Sequence, residues 1–104
     1  MDWISRLQGS ARYQAQREGT SRRAPAEDRV RAALEALAAR GGTLPLRALA
    51  EAVGTSQLRI PGFMAGLGDL LNVEGYLVVR SDPSTDTATL DLGLLRTQFG
   101  LDVP

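Results

Sequence analysis

The sequence contains no cysteine, no histidine and no lysine. Without cysteine and histidine it lacks the usual ligands of zinc, and without histidine it lacks the usual general base. Without lysine, a Walker-type phosphate loop and Schiff-base chemistry are excluded. Ser10, Ser21 and Ser56 have no histidine to activate them as nucleophiles. The sequence therefore predicts no catalytic residue, no metal site and no cofactor.

Long apolar runs are also missing. No stretch approaches the roughly 18 residues that a membrane-spanning helix needs, and the N-terminus, with Asp2 and no apolar segment, is not a signal peptide. Over 104 residues, 43% are hydrophobic and 23% are charged, which is typical of one small globular domain. We expect a cytoplasmic protein that does not bind membranes.

The charges are balanced overall but unevenly distributed. Residues 1–31 hold seven arginines against four acids, and residues 32–104 hold five arginines against eight acids. A basic leader therefore precedes an acidic domain, and an acidic surface repels phosphate.

The basic leader is predicted to cover residues 1–24. Residues 19–24 have the composition of a linker, whereas Trp3, Ile4 and Leu7 have the spacing of an apolar helix face that would continue to Ala11. We therefore expect either a basic linker or a short N-terminal helix, followed by a domain over residues 25–104.

Helical periodicity and turn residues divide this domain into elements. Helices are predicted from Pro25 to Gly41, over Leu46–Val53 and within 57–72, strands over 76–80 and 87–92, and a final helical turn over 94–99. A short extended piece, residues 43–45, separates the first two helices. This order predicts a mainly α fold with a small β-hairpin, similar to a winged helix-turn-helix.

Apolar residues at helix and strand spacing predict the core. On the helix within 57–72 they form one stripe that also includes Ile60 and Leu70. The predicted core consists of Val30, Leu34, Leu37, Leu46, Leu49, Val53, Phe63, Met64, Leu67, Leu71, Tyr76, Val78, Leu90, Leu95 and Phe99.

The opposite side of that helix is almost bare, because it carries only Gly62, Ala65, Gly66 and Asp69. Glycine within a helix costs roughly 1 kcal/mol relative to alanine, a cost that close approach of another backbone would offset. One interpretation is tight packing inside the domain. The other is a docking face, covered by the N-terminal helix, by a second copy in a homodimer or by another protein.

DNA binding is the alternative function that a winged helix suggests, since its third helix enters the major groove. The bare face lacks the side chains that read bases. Nucleic acid would then be bound nonspecifically, through phosphate contacts of basic residues in and beyond the leader. The candidates are Arg12, Arg17, Arg22, Arg23 and Arg59.

The spacing of Asp82, Ser84 and Asp86 matches the first three ligands of a calcium loop. Thr87 stands where the loop needs glycine, and Gly93 where it needs glutamate. This mismatch favours a solvated polar turn.

The chain resembles the C-terminal end of PglZ-type proteins from BREX phage-defence systems. The residues that carry the resemblance are Leu-Leu-Asn-Val-Glu-Gly-Tyr at 70–76, Leu-Val-Val at 77–79, Thr-Leu-Asp at 89–91 and Leu-Arg-Thr-Gln-Phe-Gly-Leu at 95–101. The resemblance covers roughly residues 27–102 and does not extend to residues 1–24.

In that family an upstream alkaline-phosphatase-like domain is a metal-dependent phosphohydrolase. This chain has no histidine and no clustered carboxylates to supply the metal ligands. The resemblance therefore implies a non-catalytic C-terminal module, with the upstream phosphatase domain or other BREX proteins as expected partners.

Overall fold

The computed structural model describes residues 3–20 and 24–101. It is mostly helical, with 65% of the described residues in helices when the two short 3-10 helices Gln57–Arg59 and Val73–Gly75 are included, and it contains a small three-stranded antiparallel sheet. The elements are α1 (Trp3–Gln8), α2 (Ala11–Gly19), α3 (Glu27–Ala39), β1 (Thr43–Pro45), α4 (Leu46–Val53), α5 (Ile60–Leu71), β2 (Val79–Asp82), β3 (Thr87–Leu90) and α6 (Leu92–Phe99). The predicted fold class is confirmed, and the order from α3 to β3 is winged-helix-like.

Local sequence signals set the limits of the helices. Glu27 and Asp28 lie in the first turn of α3, where acids favourably face the positive end of the helix dipole. Helix α4 ends at Gly54, which adopts the left-handed conformation with φ 73°. Pro61 lies in the first turn of α5, where its missing N–H costs least.

The sheet has the strand order β1-β3-β2, so β2 is an edge strand. Both pairings are antiparallel, with Leu44 opposite Ala88 and Val79 opposite Leu90. Gly42 extends the first pairing, because its carbonyl accepts a 2.6 Å hydrogen bond from the Leu90 N–H. It has φ 99°, and a Cβ there would lie 2.6 Å from the Leu90 carbonyl oxygen, so only glycine fits.

The leader forms two helices in its described part, where one short helix or a linker was predicted. Ser10 separates them: its hydroxyl donates to the Leu7 carbonyl and accepts from the Tyr13 N–H, capping α2. Ile4, Leu7 and Tyr13 are buried in the same core as the rest of the chain. Ala11, expected on the apolar face, is exposed. The division into units at residue 24 stays a prediction.

Twelve of the fifteen predicted core residues are buried. Leu46 and Phe63 are partly buried, and Tyr76 is 50% exposed. Tyr76 was predicted to begin a strand, but that strand begins at Val79, and Tyr76 instead follows the turn at Val73–Gly75.

Candidate functional site

Helix α5 has one side in the core and one side open to solvent. Ile60, Met64 and Leu67 are buried, as the apolar stripe predicts. Pro61, Gly62 and Ala65 on the other side are exposed, and a Cβ built on Gly62 would meet nothing within 4 Å. These three residues form the open face of α5.

Gly66 does not belong to the open face, although it was predicted there. It is buried. Helix α2 packs along this flank of α5, and the Gln16 side chain donates a 3.0 Å hydrogen bond to the backbone carbonyl of Asp69. Asp69 is itself half-buried. The flank is thus closed within the chain by α2. The N-terminal helix predicted as one possible cover, around Trp3 and Leu7, is α1, and it packs instead against α3 and α2.

Gly68 also has an internal role. Its Cβ would lie 3.1 Å from Asn72 Nδ2, so the absent side chain leaves room for the Asn72 carboxamide. That carboxamide donates to the Val79 carbonyl at 3.0 Å and accepts from the Val79 N–H at 2.9 Å. Asn72 thereby pairs with the outer edge of β2 as one residue of a neighbouring strand would.

A groove of about 560 Å³ lies between the open face of α5 and the outer edge of β2. Its lining residues are Pro61, Met64, Ala65, Gly68, Asp69, Asn72, Leu77, Val79, Arg80 and Ser81. Leu77 is a large apolar side chain that is 60% exposed, and it lies on the β2 wall. Beyond Pro61 a second cavity of about 220 Å³ continues toward Pro83 in the hairpin turn.

The arginines proposed for DNA are largely engaged where the structure describes them. Arg17 Nη1 lies 3.0 Å from Glu27 Oε1, and Arg12 Nη1 lies 3.6 Å from Glu74 Oε1. Arg59, just before α5, is exposed. The remaining two candidates, at positions 22 and 23, lie outside the described residues.

Tyr13 joins the Arg17 ion pair from a fully buried position. Its hydroxyl donates to Glu27 Oε1 at 2.5 Å. Burial, followed by the hydrogen bond to the Glu27 carboxylate and its negative charge, raises the pKa of Tyr13 to about 12. The Gln8 side chain donates to the Glu27 backbone carbonyl, so Glu27 holds both N-terminal helices.

The hairpin turn has the local hydrogen bonds of the polar turn that the sequence favoured. Asp82 Oδ1 accepts from the Ser84 hydroxyl at 2.6 Å and from the Ser84 N–H at 3.0 Å. These bonds hold the pKa of Asp82 below its usual value. Within the described ranges, no three or more His, Cys, Asp or Glu side chains form a group that could hold a metal ion.

In the comparison with protein families, residues 1–100 match the model described as the BREX system PglZ C-terminal domain. The chain belongs to this family. No curated protein and no solved structure matches it. Membership in the PglZ C-terminal family confirms the resemblance noted in the sequence and extends it through the leader, which that resemblance did not include. It also places the chain in phage defence.

The PglZ C-terminal fold uses several residues whose roles the sequence did not reveal. Asn72 belongs to the segment that carries the family resemblance, but its pairing with Val79 depends on how the chain folds back after α5. Leu77 and Arg80 were predicted within one strand. Arg80 lies in β2, Leu77 precedes it, and both line the groove. In the parts of the chain that are described, no helix is long and apolar enough to cross a membrane.

Proposed function

We propose that this chain is a non-catalytic docking module of a BREX PglZ protein and binds another protein through the groove beside α5. The observation that carries the proposal is the groove's wall on α5. Pro61 and Ala65 are small and exposed there, and exposed Leu77 faces them from the other wall. Small residues allow close approach of a partner, and exposed apolar surface gains stability when covered.

The expected partners are other proteins of the same BREX system, or the alkaline-phosphatase-like domain of PglZ that the family resemblance implies. The BREX family match supports partners of this kind. Direct DNA reading has less support, because the open face of α5 carries no base-reading side chain. Two of the leader arginines are also paired with Glu27 and Glu74.

The test is co-purification with each BREX protein from the same source. It compares the full parent chain with two variants of it, each of which replaces one alanine by arginine. Ala65→Arg fills the groove, whereas Ala52→Arg changes another exposed helical position, on α4. We expect Ala65→Arg to weaken partner binding at least tenfold and Ala52→Arg to leave it unchanged. Equal binding by both variants would contradict docking in the groove.

DNA binding is measured in parallel with a labelled duplex at increasing salt. Phosphate contacts weaken steeply with salt, so we expect at most weak, nonspecific binding that falls with salt. Sequence-specific DNA binding that Ala65→Arg abolishes would replace docking by nucleic-acid recognition as the function.

A further inference from the structure

The hydrogen-bond pattern of β2 determines which of its backbone groups face the groove. In an antiparallel pair, residues alternately direct their N–H and C=O toward the partner strand and away from it. Val79 directs both groups outward, to the Asn72 carboxamide. Arg80 and Ser81 follow in sequence. By this alternation, the backbone N–H and C=O of Arg80 point toward β3, and those of Ser81 point outward.

The other pairing of β3 supports this register. Leu90, opposite Val79, directs its N–H away from β2 to the Gly42 carbonyl. Ala88 lies two residues before Leu90 and opposite Ser81, so its backbone N–H and C=O also point away from β2. The register therefore directs the Ser81 N–H and C=O away from β3, on the side of β2 where Ser81 lines the groove.

The dimensions of the groove suit an extended backbone. From Pro61 to Asn72, α5 lines the groove over eleven steps, a length of about 17 Å at 1.5 Å per residue. The facing wall is formed by Leu77 and residues 79–81. An extended peptide rises about 3.3 Å per residue, so roughly five residues would fill the groove beside the strand.

The charge of the groove selects among such peptides. Arg80 lines it, is exposed, and has no ion-pair partner in the described part of the chain. Asp69 also lines the groove, but it is half-buried on the α5 wall and has an interaction of its own. The other neighbouring acid, Asp82, is held by Ser84 in the hairpin turn. An acidic side chain on the bound peptide would therefore pair with Arg80.

We propose that the groove binds an extended, acidic peptide segment of a partner protein, which adds as a short strand to the outer edge of β2 beyond Asn72. Strand addition to a free sheet edge is a common mode of peptide recognition. The proposal rests on the docking function above and specifies its partner. Because β2 is short and carries Arg80, indiscriminate edge pairing is disfavoured, and the peptide must complement the charge.

The test selects binders from a phage-displayed library of random heptapeptides on the immobilised full chain. We expect the enriched peptides to contain aspartate or glutamate together with an apolar residue. Ser81→Pro removes the outward N–H without breaking the ladder to β3, and proline is tolerated on edge strands in this orientation. It should lower peptide affinity at least tenfold while the melting temperature stays within a few degrees.

Ser81→Ala is the matched control, because it removes the hydroxyl and keeps the N–H. It should bind as the parent chain does. Arg80→Glu should exchange the preference for acidic peptides for one for basic peptides. Equal binding by Ser81→Pro and Ser81→Ala would overturn backbone pairing, and enrichment of neutral or basic peptides on the parent chain, or of none, would overturn the acidic ligand.

A further outcome concerns a second copy of the chain. A doubling of mass with concentration that Ser81→Pro removes would overturn the proposal in favour of edge pairing between two copies. The docking function is tested separately by Ala65→Arg. If that variant loses the BREX partner while Ser81→Pro retains it, docking stands and strand addition fails.

Discussion

The two sides of α5 that carry its small residues have opposite roles. On one flank Gly66 is buried where α2 packs along the helix. On the open face Gly62 has nothing within 4 Å of its Cβ position. Both are glycines on the same helix, four residues apart, and the sequence left open for both whether they pack inside the domain or face a partner. A small residue thus indicates that something can approach closely, but not whether it belongs to the same chain.

An arginine on each side of α5 tests most directly whether the two sides differ. Gly66→Arg would bury an unpaired guanidinium or displace α2, and we expect it to destabilise the domain by at least about 3 kcal/mol. Gly62→Arg replaces an exposed glycine by a better helix former, so its stability should change by no more than about 1 kcal/mol. Urea unfolding measures both, and similar losses would show that the flanks do not differ.

The wall of the groove is tested at Asn72. Asn72→Ala removes two hydrogen bonds and leaves the Val79 N–H and C=O without their partner. We expect a loss of about 2 to 3 kcal/mol, measured by urea unfolding. Asn72→Asp keeps an acceptor for the Val79 N–H but sets a carboxylate oxygen against the Val79 carbonyl, so its loss should be at least as large as that of Asn72→Ala. A loss below about 0.5 kcal/mol for Asn72→Ala would contradict the strand-like pairing.

The attachment of the closed flank is tested at Tyr13. Because its pKa is raised to about 12 in the folded protein from about 10 when unfolded, folding favours the neutral phenol. Its contribution to stability is fully present below about pH 10 and is lost as pH rises toward 12. Tyr13→Phe should cost about 1 to 2 kcal/mol at neutral pH.

The unfolding free energy of Tyr13→Phe should also decline less between pH 10 and 12 than that of the parent chain. Tyr76→Phe, at a tyrosine that is 50% exposed, is the control and should leave the parent decline in place. If Tyr13→Phe declines as steeply as the parent, Tyr13 does not hold its proton against Glu27.

The smallest effect is expected at Arg12, also on α2. Its ion pair with Glu74 spans 3.6 Å, and the two side chains are 46% and 67% exposed. Exposed ion pairs contribute about 0 to 1 kcal/mol. Arg12→Ala should therefore change stability by less than about 1 kcal/mol, measured at low and high salt. A larger loss would mean that polar surface contacts, and not only buried groups, hold α2 on α5.

The sequence predicts the winged-helix-like part of the fold well because its signals are local. The helix over Leu46–Val53 is bounded by Pro45 and Gly54, and the structure has these limits. The strand predicted at 76–80 is displaced to Val79–Asp82. Asn72 and the turn over Val73–Gly75 decide where β2 begins. The strand propensities of residues 76–78 could not predict this, because the start depends on the pairing of the Asn72 carboxamide with Val79.

The candidate site was predicted only in part. Gly62 and Ala65 lie on the open face as expected, whereas Gly66 does not. The arginines of the leader suggested a surface for phosphate. In the structure two of them pair with Glu27 and Glu74, and the sequence could not predict this because tertiary contacts place these acids beside α2. Leu77 and Arg80 had strand spacing, but Leu77 precedes β2, and nothing in that spacing showed that β2 would lie at the edge of the sheet.

The sequence by itself determined which side-chain types this chain lacks, where most of its helices begin and end, and which apolar residues form most of the core. Those properties follow from side-chain type and from periodicity over a few residues. Only the tertiary structure decided which flank of α5 is closed, that Asn72 pairs with Val79, and which edge of β2 remains open. The physical reason is that burial of a backbone or a small residue depends on the element packed against it, and α2 reaches α5 from about fifty residues away in the chain, as the bond from Gln16 to Asp69 shows.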